Sequence, residues 1–249
     1  MNEQDRLLEY ARIKFELSPE VVKAYKKAPR HLFLKIPYSM DEIYQDHPLE
    51  IYRDSEFVST ISQPSFVMMM IDMLKLKPGH NVLELGAGSG WNAALMSHIV
   101  GEKGKVVSLE IIPSLAQETR ENLKHLGYKN VEIIQADGAH GYAKEAPYDR
   151  AIFTAGATDL PQAFHDQIKV GGKLLFVLKT SGVDVLLLLD KKEDHFEEVS
   201  RELCSFVPMT GEKGVGQSHE SSFLKGLEGR MLIYPSDSSK GNESIFSIT

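Results

Sequence analysis

A single cysteine, Cys204, stands among the 249 residues. No internal disulfide can form, and a reducing, cytoplasmic setting is expected. Nowhere do about 18 uncharged apolar residues run together, which speaks against a membrane span. The opening MNEQDRLLEYARIKF is charged throughout and lacks the apolar centre of a secretory signal. Positive charge is also in short supply: 28 Lys and Arg face 35 Asp and Glu, a formal net charge of −7. A nucleic-acid partner would need a dense basic patch, and PRHLFLK is only mildly basic. The nine histidines fit no H-E-x-x-H spacing, so no metal is expected, and no His–Asp–Ser signature or internal repeat is visible. The expected protein is a monomer with neither nucleic-acid nor membrane partners.

What the chain does have is apolar residues, 42% of the total, beside 25% charged. That suits one domain with a sizeable core. Up to about Met40 the pattern is helical; Ser18 can cap and Pro19 can sit in the first turn of a helix that Pro29 ends. Residues 41–65 show little periodicity and read as a long irregular polar loop, of a kind more often functional than idle. The stretch STISQPSF closes it. Its plain reading is a helix start, with Ser62 as N-cap, Pro64 in the first turn and Phe66 to Leu74 as the buried stripe. The Met68 to Met70 run fits core filling.

From Lys77 the rhythm changes. NVLEL, KVVSLE, VEIIQAD, RAIFTAG and GGKLLFVLK are short, nearly all-apolar strands. Helices follow the first two, the second opened near Pro113 and closed by Gly127. Such alternation predicts a parallel sheet covered on both faces, an α/β fold. VDVLLLLDKKEDHFEEVSRELCSFVPM then reads strand, turn, strand, an antiparallel hairpin at the sheet's end. The expected division is 1–65 for N-terminal helices and loop, 66–211 for the core, and 212–249 for a C-terminal extension whose Ser, Asn and Gly content suggests mobility at its end.

LELGAGSGW follows a strand and precedes a helix, the context that lifts a glycine motif above chance. Gly86, Gly88 and Gly90 have G-x-G-x-G spacing, and Trp91 stands where a dinucleotide fingerprint has its last glycine. Bulky Trp91 and the acidic Glu84 in the strand both disfavour a pyrophosphate. Glu110 ends the second strand, where a carboxylate can accept from both ribose hydroxyls of an adenosine. Asp137 ends the third and could take a hydrogen bond from an adenine amino group; taken singly it would be read as a solvated strand end. In order on one fold, these features describe a nucleoside pocket of net negative charge, better suited to cationic S-adenosylmethionine than to a dinucleotide.

From about Val21 to Thr210 the chain resembles the protein-L-isoaspartate O-methyltransferase family. The matching stretches are APRHLF, YQDHPL, TISQPSFVMMMIDMLKLKPG, VLELGAGSGWNAALMSHIVG, LGYKNVEIIQADGAHGYAKEAPYDRAIFTAGA, LPQAFHDQIKVGGKLLFVL and SFVPMTG. The glycine loop marks only methyltransferases at large; TISQP, the DGAHGYAKEAPYDRAIFTAGA run and FVPMTG are far more specific. The resemblance implies a Rossmann-like, mostly parallel seven-stranded sheet with a reversed last strand. It implies methyl transfer from S-adenosylmethionine to isoaspartyl carboxylates in damaged proteins and peptides, a repair reaction. It places Ser62 as the catalytic residue between cofactor and carboxylate. Cofactor contacts fall on Glu84, Gly86, Gly88, Ser89, Gly90, Glu110, Ile111, Asp137, Gly138 and Thr154. Substrate contacts fall on Thr60, Ile61, Gln63, Val207 and Pro208.

Three stretches depart from the family pattern, all on the acceptor side. EIYRDSEFVSTIS is longer than the usual I-G-x-G-Q segment and has no glycine. FVLKTSG replaces a P-V-G, and the fourth strand ends in TAGATDLP. A carboxyl methyltransferase with another acceptor, peptide or small molecule, and a cofactor-binding module without turnover are therefore competing expectations. An RNA methyltransferase is a more distant one.

Overall fold

The computed structural model describes residues 1–35, 37–180 and 183–211; the expected C-terminal extension, 212–249, lies outside them. Helices α1 (Glu3–Lys14) and α2 (Pro19–Lys27) come first, then a 3-10 turn over Arg30–Phe33 and a single-turn α3 (Met40–Ile43). Pro19 starts α2 as expected, but Ser18 makes no side-chain cap. Its N–H instead donates to Asp72 Oδ1 at 2.9 Å.

The stretch 41–65 is not an irregular loop. After α3 it forms a hairpin of β1 (Leu49–Arg53) and β2 (Val58–Ile61), antiparallel with Leu49 opposite Ile61. Local side chains supply what the apolar pattern hides. Ser39 and Glu42 make a reciprocal capping box at the start of α3. Asp54 Oδ1 accepts from Glu56 N–H and Phe57 N–H, both at 2.7 Å, and so shapes the hairpin turn. Helix α4 (Pro64–Met73) follows, with Gln63 at the N-cap position and no side-chain cap. Ser62 is therefore not a capping residue. The orphan Ser65 N–H is satisfied from a distance, by Asp46 Oδ1 at 2.8 Å. Met68 and Met70 are buried in the core as expected.

The core sheet then runs β3 (Asn81–Leu85), β4 (Lys105–Glu110), β5 (Val131–Gln135), β6 (Tyr148–Phe153), β7 (Ile168–Leu178), β8 (Asp184–Lys191) and β9 (Phe196–Cys204). Helices α5 (Trp91–Val100) and α6 (Pro113–His125) link the first three, and α7 (Gln162–Gln167) precedes β7. The sheet order is β5-β4-β3-β6-β7-β8-β9. Strands β5 to β7 are parallel in that order, β8 is antiparallel to β7, and β9 is antiparallel to β8. The expected terminal hairpin is thus β8–β9. Its reversed member is β8, and β9 returns along the edge in the direction of the parallel strands. The inner strands are almost wholly buried, which is why they read as unbroken apolar runs. From β3 the chain steps first to β4 and β5, then back to β6 and β7. Crossovers of one hand taken in opposite directions cover opposite faces. They leave a crevice at the carboxyl ends of the strands beside β3, the usual place for a ligand in such sheets.

Candidate active site

In that crevice lies a cavity of about 840 Å3, within the ordinary size of a small-molecule site. One wall is the loop from β3 into α5. Its backbone is fixed internally: Gly86 N–H and Ala87 N–H both donate to Leu109 O at 2.9 Å, and Gly90 N–H to Ala87 O at 2.8 Å. Two positions demand glycine. Gly86 has φ +95°, and a Cβ there would sit 2.3 Å from Thr154 Oγ1. Gly90 has φ +80°, and its Cβ would come within 2.8 Å of Thr119 Cγ2. Thr119 also donates its hydroxyl to Gly88 O at 2.6 Å, tying α6 to the loop.

Opposite stands Glu110 at the end of β4, buried, with both oxygens in use. Oε2 accepts from Gly88 N–H at 2.9 Å and Oε1 from Ile112 N–H at 3.1 Å. Burial pushes its carboxyl above the usual range, while the backbone donors of Gly88, Ile112 and Ile111 pull it down. A carboxylate offers about four acceptor positions, so each oxygen can still take another donor. Ala136 and Gly138 after β5, and Thr154 and Ala155 after β6, complete this side.

The other side is assembled from distant parts of the chain. Thr60, Ile61, Ser62 and Gln63 line it, with Glu56 and Phe57 from the hairpin turn and Leu203 to Thr210 from the end of β9 onward. The Ser62 hydroxyl makes no hydrogen bond among the described residues, whereas its backbone is held firmly. Arg30, fully buried, donates Nη2 to Ser62 O at 3.0 Å, Ile61 O at 3.2 Å and His47 O at 3.0 Å, and Nη1 to Ile43 O at 2.6 Å. Its guanidinium lies 5.7 Å from the centre of the Trp91 ring. Burial lowers the Arg30 pKa to about 10, so it remains charged at neutral pH. Asp46 accepts from Gln63 Nε2 at 2.8 Å and from Ser65 Oγ at 2.7 Å. Burial alone would raise the Asp46 carboxyl; the Gln63 and Ser65 donors outweigh it and leave it below the usual range. The last wall is pinned to the strand after β6, with Gly156 N–H donating to Val207 O at 2.9 Å and Met209 N–H to Gly156 O at 2.7 Å.

The predicted residues therefore converge, with three exceptions. Thr60, Ile61, Ser62, Gln63, Gly86, Gly88, Ser89, Glu110, Ile111, Gly138, Thr154, Val207 and Pro208 all line the cavity. Glu84 does not. It is fully buried within β3, where the Ser108 hydroxyl donates to Oε2 at 2.6 Å. Oε1 makes no hydrogen bond of ordinary geometry, although the Asn92 side chain lies close by. Burial pushes this carboxyl up to about 8, against the Ser108 hydroxyl. Gly90 is the N-cap of α5 and meets α6, not the cavity. Asp137 lies between two lining neighbours, but its carboxylate accepts from Ala139 N–H at 2.9 Å and the backbone of Gly211 passes against it. Arg30 and Asp46 were missed. APRHLF and YQDHPL carry both, yet nothing local distinguishes a buried clamp from a surface charge.

A glycine loop after the first core strand, a buried acid at the end of the second and a seven-stranded sheet with one reversed strand define a Rossmann-like methyltransferase fold. A family model described as protein-L-isoaspartate(D-aspartate) O-methyltransferase matches residues 2–214. The chain is 42% identical over 212 residues to protein-L-isoaspartate O-methyltransferase 2 of Archaeoglobus fulgidus, covering 85% of this chain and 94% of that one. It is 43% identical over 202 residues to protein-L-isoaspartate O-methyltransferase of Methanopyrus kandleri, covering 79% and 86%. A solved protein-L-isoaspartate O-methyltransferase superposes with TM-score 0.80 at 33% identity, over 85% of this chain and 67% of that one. The chain belongs to the protein-L-isoaspartate O-methyltransferase family.

Proposed function

We propose that this protein transfers the methyl group of S-adenosylmethionine to the side-chain carboxylate of L-isoaspartyl residues in damaged proteins and peptides. The observation that carries the reading is the unengaged Ser62 hydroxyl, on a backbone held by Arg30, inside the same cavity as the glycine loop and Glu110. The cofactor fits what is there. Glu110 keeps acceptor capacity for ribose hydroxyls, and the cavity lining holds the carboxylates of Glu56 and Glu110 with no Lys or Arg among the described residues, a field that favours a sulfonium.

Bound there, S-adenosylmethionine supplies an electrophilic methyl group. The chain has to position the acceptor and exclude water. A carboxylate of pKa about 4 is already ionised at neutral pH, so no general base is required and no catalytic dyad is expected. The Ser62 hydroxyl and the Val207 N–H, which has no partner among the described residues, can each donate to the carboxylate and orient it. Phe57, Phe66 and Phe206 make the walls around them apolar, which weakens hydration of the anion. Gln63 serves chiefly to hold the segment, through Asp46.

No helix among the described residues is long and apolar enough to cross a membrane. We read the protein as a cytoplasmic monomer acting on polypeptides, in keeping with its acidic charge and single cysteine, whose thiol burial pushes up to about 12. Methyl transfer from labelled S-adenosylmethionine to a short isoaspartyl peptide, with the aspartyl peptide as control, tests the assignment. Transfer to the isoaspartyl form alone is expected. Transfer to neither, with cofactor bound, would overturn it.

A further inference from the structure

Lys179 stands just beyond the end of β7. Lys179 Nζ donates to Asp184 Oδ2 at 2.7 Å and to Phe206 O at 3.0 Å. The same Asp184 oxygen accepts from Phe206 N–H at 3.0 Å. One ion pair thus takes both backbone polar groups of Phe206. Asp184 is buried at the start of β8, and the Lys179 stem runs tightly over Gly156, where a Cβ would lie 2.3 Å from Lys179 Cδ. Gly156 in turn holds Val207 O and Met209 N–H. The stretch Phe206 to Met209 is therefore fastened from behind at successive residues, with Phe206, Val207 and Pro208 lining the cavity in front.

We propose that Lys179 and Asp184 are positioning residues for the acceptor: their ion pair clips the Phe206 backbone and fixes the wall against which the isoaspartyl peptide is held. The assignment rests on the methyl-transfer reading above. Neither side chain is among those lining the cavity, so they act through the backbone of Phe206 and Val207 and touch neither reactant. A partly buried charge-assisted hydrogen bond is stronger and better defined than a neutral one, and here two of them meet on one residue. With the clip in place, Phe206 has no backbone N–H left for a substrate, while Val207 N–H has no partner among the described residues.

Steady-state methyl transfer with peptide and cofactor varied separately tests this in the full chain, comparing wild type with Lys179→Met, Lys179→Arg and Lys179→Met/Asp184→Asn. The double variant removes the charge left buried by the single one. Peptide KM should rise about tenfold in Lys179→Met and in the double variant, while cofactor KM stays within about twofold. Lys179→Arg, which keeps a donor for both partners, should recover most of the loss. Deuterium exchange over residues 203–210 gives a readout independent of turnover and should quicken about tenfold in Lys179→Met. A drop in thermal stability with peptide KM and exchange unchanged would mean the pair merely braces the β7–β8 connection, and the proposal would fail. Equal changes in peptide and cofactor KM would also overturn it. A wild type that leaves isoaspartyl peptide untouched would instead sink the methyl-transfer reading, with the clip then decided by exchange alone.

Discussion

The two sides of the cavity are built by opposite means. The glycine loop, Glu110, Gly138 and Thr154 stand at the ends of four adjacent parallel strands, and each is placed by the strand just before it. Ser62 and its neighbours owe their place to partners far away in sequence: Arg30 reaches Ile61 and Ser62, Asp46 reaches Gln63 and Ser65, and Gly156 reaches Val207 and Met209. A sheet edge gives a rigid floor that hardly depends on any single side chain. The acceptor side depends on a few buried polar groups, each with several jobs. Damage should therefore be concentrated in single residues on one side and spread over many on the other.

Arg30 offers the sharpest break. Arg30→Met would strand four carbonyl oxygens that now accept from the guanidinium. Each buried acceptor left unpaired costs about 1–3 kcal/mol, though relaxation and water recover part of it. The expected loss is about 3 kcal/mol or more of stability, a fall in Tm of roughly 6–12 °C at this chain length, read by thermal unfolding. An unchanged Tm would show that the acceptor side does not hang on this clamp.

A matched pair of substitutions then separates the two sides. Glu110→Ala removes the acceptor for Gly88 N–H and Ile112 N–H along with any ribose contact. Hydrogen bonds to a charged group contribute about 1.5–3 kcal/mol, so cofactor affinity by calorimetry should fall about 10- to 150-fold. Ser62→Ala should leave that affinity within about twofold and lower kcat about tenfold, or 1.4 kcal/mol of barrier. The reverse pattern would exchange the roles given to the two residues.

How far each side could be read from the sequence follows the same division. The parallel strands, the glycine loop and Glu110 announce themselves through short apolar runs, a G-x-G-x-G stretch and an acid at a strand end. All of these are local signals. The β1–β2 hairpin was hidden because its strands are short and half-exposed, and only the Asp54 turn and the Ser39–Glu42 box betray it. Asp137 and Glu84 had the right chemistry in the right order, but backbone geometry turns Asp137 to Ala139 and strand alternation turns Glu84 toward Ser108. Arg30 and Asp46 could not be found by any rule of spacing, because what they hold lies thirteen or more residues away.

Glu84 makes the cofactor side testable by pH. Burial raises its carboxyl to about 8, so the folded chain holds this proton more tightly than the unfolded chain does. The resulting stability is fully present below the unfolded pKa near 4.5, declines as pH rises from there to about 8, and changes no further above that. Glu84→Gln keeps an acceptor for Ser108 and removes the titration. Its Tm relative to wild type should climb by roughly 7–14 °C, about 3.5 kcal/mol, between pH 5 and pH 8. A constant difference across that range would mean the carboxyl titrates normally.

The smallest expected effect bears on acceptor choice. Glu56, at the hairpin turn, is exposed and lines the mouth of the cavity, and no Lys or Arg lines it with Glu56 among the described residues. A peptide carrying Lys beside its isoaspartate should therefore be preferred over one carrying Glu there. An exposed pair contributes only about 0.2–1 kcal/mol, so the ratio of kcat/KM for the two peptides should be about 1.5- to 5-fold and should shrink as salt shortens the screening length. Glu56→Gln should bring the ratio toward one while leaving the rate on a neutral peptide in place. A ratio that survives this substitution would locate the charge preference elsewhere on the acceptor side, and the hairpin would then shape the cavity without selecting what enters it.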